Sequence, residues 1–168
     1  MTREGALVLT IVLALALLVV GFWAWRRRTR RDAGLTAPVG EAPGTAVTVA
    51  AFGALYVATT RHAEPLERLA VKGLAFRSRA DVTVTDAGVA IDLTGQPRVF
   101  LDAARIVETA PSTVVIDRVV ERDGLTRISW RTDDGTVVDS YFRPQDASAR
   151  ALTDAVAGIL PSQTGTDA

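Results

Sequence analysis

Cysteine is absent from all 168 residues, and so is asparagine. The first absence excludes disulfides and thiolate metal sites, and it suits a domain that folds without an oxidative staple. The second removes every N-glycosylation acceptor. Histidine occurs once, as His62, and lysine once, as Lys72, so all but one of the 19 basic residues are arginine. That bias reads as genomic base composition and not as a functional choice.

These scarcities bear on chemistry. A metal site or a nucleophile–base pair needs a second imidazole, a thiolate or clustered carboxylates within reach. His62 has only Glu64 nearby in sequence, so it reads as an exposed loop histidine after a strand. Asp86, Asp123, Asp133 and Asp134 sit in turn-like contexts, where aspartate bonds nearby backbone N–H groups. Asp133-Asp134-Gly135 lacks the alternating oxygen ligands of a calcium loop. No catalytic residue, cofactor site or metal site is expected, and the chain reads as non-enzymatic.

Charge is balanced overall but divided along the chain. Through Arg31 there are six arginines against Glu4, a net +5; beyond it, 13 basic and 18 acidic residues leave −5. An acidic domain lacks the electrostatic footprint of a nucleic-acid binder, so no nucleic-acid partner is expected.

The dominant feature is the run from Gly5 to Trp25, 21 residues in which Thr10 is the only polar side chain. As a helix rising about 1.5 Å per residue it spans roughly 31 Å, the thickness of bilayer hydrocarbon. Phe22, Trp23 and Trp25 lie at one end, where aromatic rings favour the headgroup layer. Arg26, Arg27, Arg28, Arg30 and Arg31 follow. The positive-inside rule then places the N-terminus outside and the remainder in the cytoplasm, as a single-pass protein of the cell membrane. A cleaved signal peptide would carry its charge on the other flank. The five arginines also attract anionic headgroups, each by about 1 kcal/mol near the surface.

Residues 32–45 are rich in Gly, Pro, Ala and Thr and read as a flexible linker. A single domain is expected over 46–161. Phe52–Thr60 reads as a strand, Glu64–Val71 as a short helical turn or irregular loop ended by Gly73, and Leu74–Thr85 as a strand. Asp86-Ala87-Gly88 turns this into a hairpin with Val89, Ile91 and Leu93. Val99–Leu101 follows, then a weakly patterned Ala104–Glu108 read as a continuing strand. Val114–Val120 is set up as a strand; Asp123-Gly124 turns into Arg127–Arg131, and Asp133-Asp134-Gly135 into Val137–Phe142, with Pro144 as the stop. From Asp146 as N-cap, Ala149, Leu152, Val156, Ile159 and Leu160 recur at helical spacing, predicting a helix of roughly 14 residues ended by Pro161. Residues 162–168 read as a disordered tail. Tyr56, Trp130 and Phe142 are the expected core aromatics.

The fold class is therefore an N-terminal transmembrane helix plus a mainly β domain, about seven antiparallel strands in a curved sheet or partly open barrel capped by a C-terminal helix. The runs ALYVATTRHAEPLERLAVKGLAFRSRADVTV, GVAIDL, RISW and DSYFRPQD resemble a group of small actinobacterial membrane proteins that join a membrane helix to a bacterial PH-like domain. Where that group has a glycine-rich stretch before the RISW-like strand, this chain has Pro111-Ser112-Thr113-Val114. The resemblance implies association with pyrimidine and carbamoyl-phosphate biosynthesis genes, and some members are labelled export or transport proteins.

Two partner classes follow. The preferred one is a protein partner, or a second copy, bound by a membrane-tethered scaffold module; a separate alternative is an accessory subunit of a membrane transport or export system. The other is anionic lipid, gripped by Arg61, Lys72, Arg77 and Arg79 with the juxtamembrane arginines. Arginine binds phosphate bidentately. Glu64, Glu67 and Asp81, interspersed among the four, are expected to neutralise them as surface ion pairs.

Overall fold

The computed structural model describes residues 3–31, 34–74, 76–115, 118–119 and 124–161. It comprises two compact units, Met1–Gly34 and Leu35–Ala168. In the first, helix α1 (Arg3–Arg31) carries a 21-residue candidate membrane span, Leu7–Arg27, of mean hydropathy 2.8 and with none of it buried. An apolar surface that wide has no partner in water, whereas a bilayer would cover it and the helix would satisfy its own backbone. The Phe22 and Trp25 ring centroids lie 5.9 Å apart with the rings tilted by 42°, and the Arg27 guanidinium lies 5.6 Å from the Trp23 ring centroid.

The second unit is built on strand β1 (Thr48–Arg61), longer than the Phe52–Thr60 strand expected from sequence. Its first part pairs with β3 (Ser78–Thr85) and its second with β10 (Val137–Pro144). A bulge between Tyr56 and Ala58 marks the change of partner, the local kink by which one strand serves both halves of a curved sheet. β3 continues to β4 (Gly88–Leu93) and β5 (Val99–Asp102); β10 continues to β9 (Leu125–Arg131) and β6 (Ile106–Ser112). The order is β5-β4-β3-β1-β10-β9-β6, all antiparallel and not closed into a barrel. β2 (Glu64–Arg68) pairs with β1 off this path, and β7 (Val114–Val115) forms a separate two-stranded ladder with β8 (Arg118–Val119).

One face of the sheet alternates inward. Val82, Val84, Ile91, Leu101 and Ile128 are fully buried there with Tyr56, Trp130 and Phe142. The Tyr56 and Phe142 rings meet at 5.7 Å, tilted by 56°. The polar atoms of its aromatics are paired: Tyr56 Oη donates to the Leu74 carbonyl at 2.7 Å, and Trp130 Nε1 to Ser140 Oγ at 2.9 Å. Helix α2 (Ala149–Ala157) lays Leu152 and Val156 across the same core.

Glycine is required at one turn. Gly88 has φ of 154°, and a Cβ there would meet the Leu101 carbonyl oxygen at 2.2 Å. The Asp86-Ala87-Gly88 hairpin therefore brings β5 too close for any side chain.

Four expectations need correction. Glu64–Val71 is not helical: His62-Ala63 makes a two-residue turn, with Ala63 at φ 61°, that folds Glu64–Arg68 back on β1. Of the supposed helical face, only Leu69 is buried; Leu66 is 73% exposed. Ala103–Arg105 is a 3-10 turn capped by Asp102, and only from Ile106 does the chain become a strand. Helix α2 has nine residues, not fourteen, because its N-cap is Ser148 and it ends at Ala157 with Gly158 as C-cap; Asp146 instead accepts from Gly53 N at 2.9 Å. Last, the segment expected to be linker is partly domain. Leu35 and Ala37 are buried, Thr36 bridges to Lys72 and Val39 to Val99, and four backbone hydrogen bonds hold Leu35–Gly40 between the Lys72 loop and the edge of β5. Asp32, Ala33, Val120, Asp123 and the 162–168 tail lie outside the described residues.

Candidate functional site

The two-residue turn His62-Ala63 is held by one carboxylate. Asp139 of β10 is fully buried; its Oδ1 accepts from His62 Nδ1 at 2.8 Å and Ser129 Oγ at 2.7 Å, and its Oδ2 from Ala63 N at 3.1 Å. Arg127 Nη1 stands 3.9 Å from Oδ2, while its Nη2 donates to Glu108 at 2.5 Å. A carboxylate can only accept here, so Nδ1 of His62 carries the proton. His, Asp and Ser thus meet, but in the wrong order for acyl transfer. The carboxylate lies between the hydroxyl and the ring, whereas a nucleophile must bond the imidazole itself. Ser129 is moreover fully buried. The arrangement fixes a strained turn and does not activate a nucleophile. His62 was expected as a free loop residue; its partner lies 77 positions away, on a strand whose alternation does not announce it.

That turn begins the excursion carrying the sequence-selected cations. Arg61 is occupied, with Nε 3.2 Å from Glu67 Oε2. Lys72, Arg77 and Arg79 are exposed and make no ion pair among the described residues. The predicted neutralisation therefore holds for Arg61 alone of the four. Between them stands Phe76, 79% exposed, a residue that sequence reasoning passed over because its neighbours read as strand. Leu66 on β2 is similarly bare at 73%. Arg77 and Arg79 are two apart, with Arg79 opposite Leu55 in the ladder. Arg26 and Arg27 are exposed on α1; Arg28, Arg30 and Arg31 are helical, but their side chains are outside the description. The five juxtamembrane arginines and these domain cations belong to separate units.

Some other charges are spent within the fold, although Arg131 is also exposed and without an ion pair among the described residues. Arg98 grips Asp92 with two bonds of 2.7 and 2.9 Å and Glu41 with a third of 2.6 Å, and these carboxylates raise its already high pKa further. Hydrogen bonds from Thr132 and Thr136 lower the pKa of Asp134 in its turn. Among the described residues no three His, Asp or Glu side chains gather as metal ligands.

No curated protein matches the chain. Among solved structures, the crystal structure of the C-terminal domain of an unknown protein from Leishmania infantum aligns over 82% of this chain and 96% of that one, at 9% identity and a TM-score of 0.43. Residues 17–157 match the family described as Bacterial PH domain-like, a match that starts within the apolar helix and runs to the end of α2. Spanning most of the chain, it shows that this protein belongs to the Bacterial PH domain-like family.

Proposed function

We propose that the chain is a non-enzymatic binding module, held by α1 as a single span with its N-terminus outside, whose cytoplasmic domain engages an anionic membrane surface. One observation carries the reading: Phe76, 79% exposed, stands in sequence between three cations that have no acidic partner among the described residues. An exposed ring next to free cations suits the headgroup boundary, where the ring enters the acyl edge and the cations meet phosphates. Each basic residue contributes on the order of 1 kcal/mol at such a surface. The cytoplasmic leaflet is the anionic one, which accords with the orientation drawn from the arginines following Trp25. This moves lipid ahead of a protein scaffold as the use of this end of the domain.

Vesicle co-sedimentation of residues 35–168, the compact second unit, tests it. Binding should appear with phosphatidylglycerol vesicles, be absent with phosphatidylcholine alone, and fall in Phe76→Ala. Equal recovery from the two vesicle types would exclude the lipid reading. A reporter enzyme active only in the cytoplasm, fused after Ala168, tests the orientation.

A further inference from the structure

A shallow cleft lies at the far end of β3 from the cations. Val49 from β1, Asp86 from the β3–β4 turn, and Asp154, Ala155 and Ile159 at the end of α2 line it. The eight residues of β3 put about 27 Å between the two ends.

The floor of the cleft is apolar and open. Val49 is 56% exposed and Val47 beside it 64%, although later residues of the same strand are fully buried. The rim is acidic. Asp86 is fixed in place by accepting from Val47 N at 2.8 Å through Oδ1. Asp154 is 71% exposed, and among the described residues its ion-pair partner is Arg150, at 4.0 Å. The last turn of α2 carries no basic residue, and among the described residues its Asp154, Val156 and Ala157 carbonyls accept only from the backbone N–H groups of Gly158, Ile159 and Leu160. A cation is what this end of the helix lacks, and a branched aliphatic side chain is what the floor would cover.

We propose that this cleft docks a segment of a partner protein carrying arginine or lysine beside a branched aliphatic residue. The cation sits between Asp86 and Asp154, and the aliphatic group covers Val49 and Ile159. This reading is independent of lipid binding, since it uses the opposite end of β3.

The test uses the full chain in nanodiscs of zwitterionic lipid, with valine and isoleucine methyls labelled for NMR. The probe is a synthetic hexapeptide of alternating arginine and valine; the counter-probe replaces arginine by glutamate. The arginine peptide should shift the Val49 and Ile159 methyls saturably, and the glutamate peptide should not. Asp154→Lys should weaken binding roughly five- to tenfold, the range expected from reversing one exposed charge at a helix end. Val49→Ser, at a side chain already more than half exposed, should weaken it independently. No saturable shift, equal shifts with both peptides, or undiminished binding in both variants overturns the proposal.

Discussion

Nδ1 of His62 lies 2.8 Å from Oδ1 of Asp139, a carboxylate with no solvent exposure, and the same carboxylate takes the amide of Ala63 at 3.1 Å. A turn that holds Ala63 at a positive φ is thereby anchored to β10. Removing the carboxylate leaves buried donors unsatisfied and frees a strained backbone. Asp139→Ala should therefore cost about 3–5 kcal/mol in urea unfolding. His62→Ala, at a partly exposed ring, should cost about 1–2 kcal/mol. A loss below about 1 kcal/mol in Asp139→Ala would mean that the turn stands without its anchor.

Tyr56 gives the domain an alkaline limit. Burial raises its pKa from 10.0 to about 12, and its hydroxyl bonds Thr59 and the Leu74 carbonyl. The unfolded chain loses this proton first, so between pH 10 and 12 the folded state binds more protons. Stability must then fall as pH rises, by up to about 3 kcal/mol at pH 12. Tyr141, whose pKa is also raised by burial, acts in the same direction. Comparing urea midpoints across this range, Tyr56→Phe should show a visibly shallower decline than the parent. An identical decline would assign the effect elsewhere.

Where local chemistry dictates local structure, the residues foretold the fold. Asp86-Ala87-Gly88 and Asp133-Asp134-Gly135 made their hairpins, Gly88 and Gly135 taking φ of 154° and 84°. Alternation put Tyr56, Trp130 and Phe142 in the core. Other features depend on distant partners and leave no local trace. Pro65 suits a helix start as well as an edge strand, and only the Asp139 anchor decides the matter. Leu35–Gly40 is held mostly through backbone bonds, which any small residues can supply, so its composition read as linker. The cations were chosen on sequence, but which of them stays free depended on the Arg61–Glu67 pair.

Leu35–Gly40 supplies the next prediction. It buries Leu35 and Ala37 and covers the edge of β5, with Arg98 tying Glu41 to Asp92. Residues 46–168 should then be less stable than 35–168 by about 2–4 kcal/mol, from two buried apolar side chains and a few net hydrogen bonds. Their uncovered edge should also favour association. Thermal unfolding and light scattering of the two fragments check both points. Equal melting temperatures would return this segment to the status of a tether.

The cationic end distinguishes free charges from paired ones. Lys72, Arg77 and Arg79 are exposed without an acidic partner among the described residues, whereas Arg61 already spends its charge on Glu67 at 3.2 Å. Replacing the three free cations with glutamine should remove about 3 kcal/mol of attraction to an anionic vesicle, roughly a hundredfold in partitioning. Arg61→Gln should cost less than any one of the three, because its guanidinium is engaged by Glu67 and is not offered to a headgroup phosphate. Added salt should weaken the parent strongly and the triple variant little, since exposed charges beyond a Debye length are screened. The substitutions lie at exposed positions, so unfolding should be unchanged within about 0.5 kcal/mol. If Arg61→Gln weakened vesicle binding as much as Arg77→Gln, the ion pair would not be what selects the site, and the face would act through net charge alone.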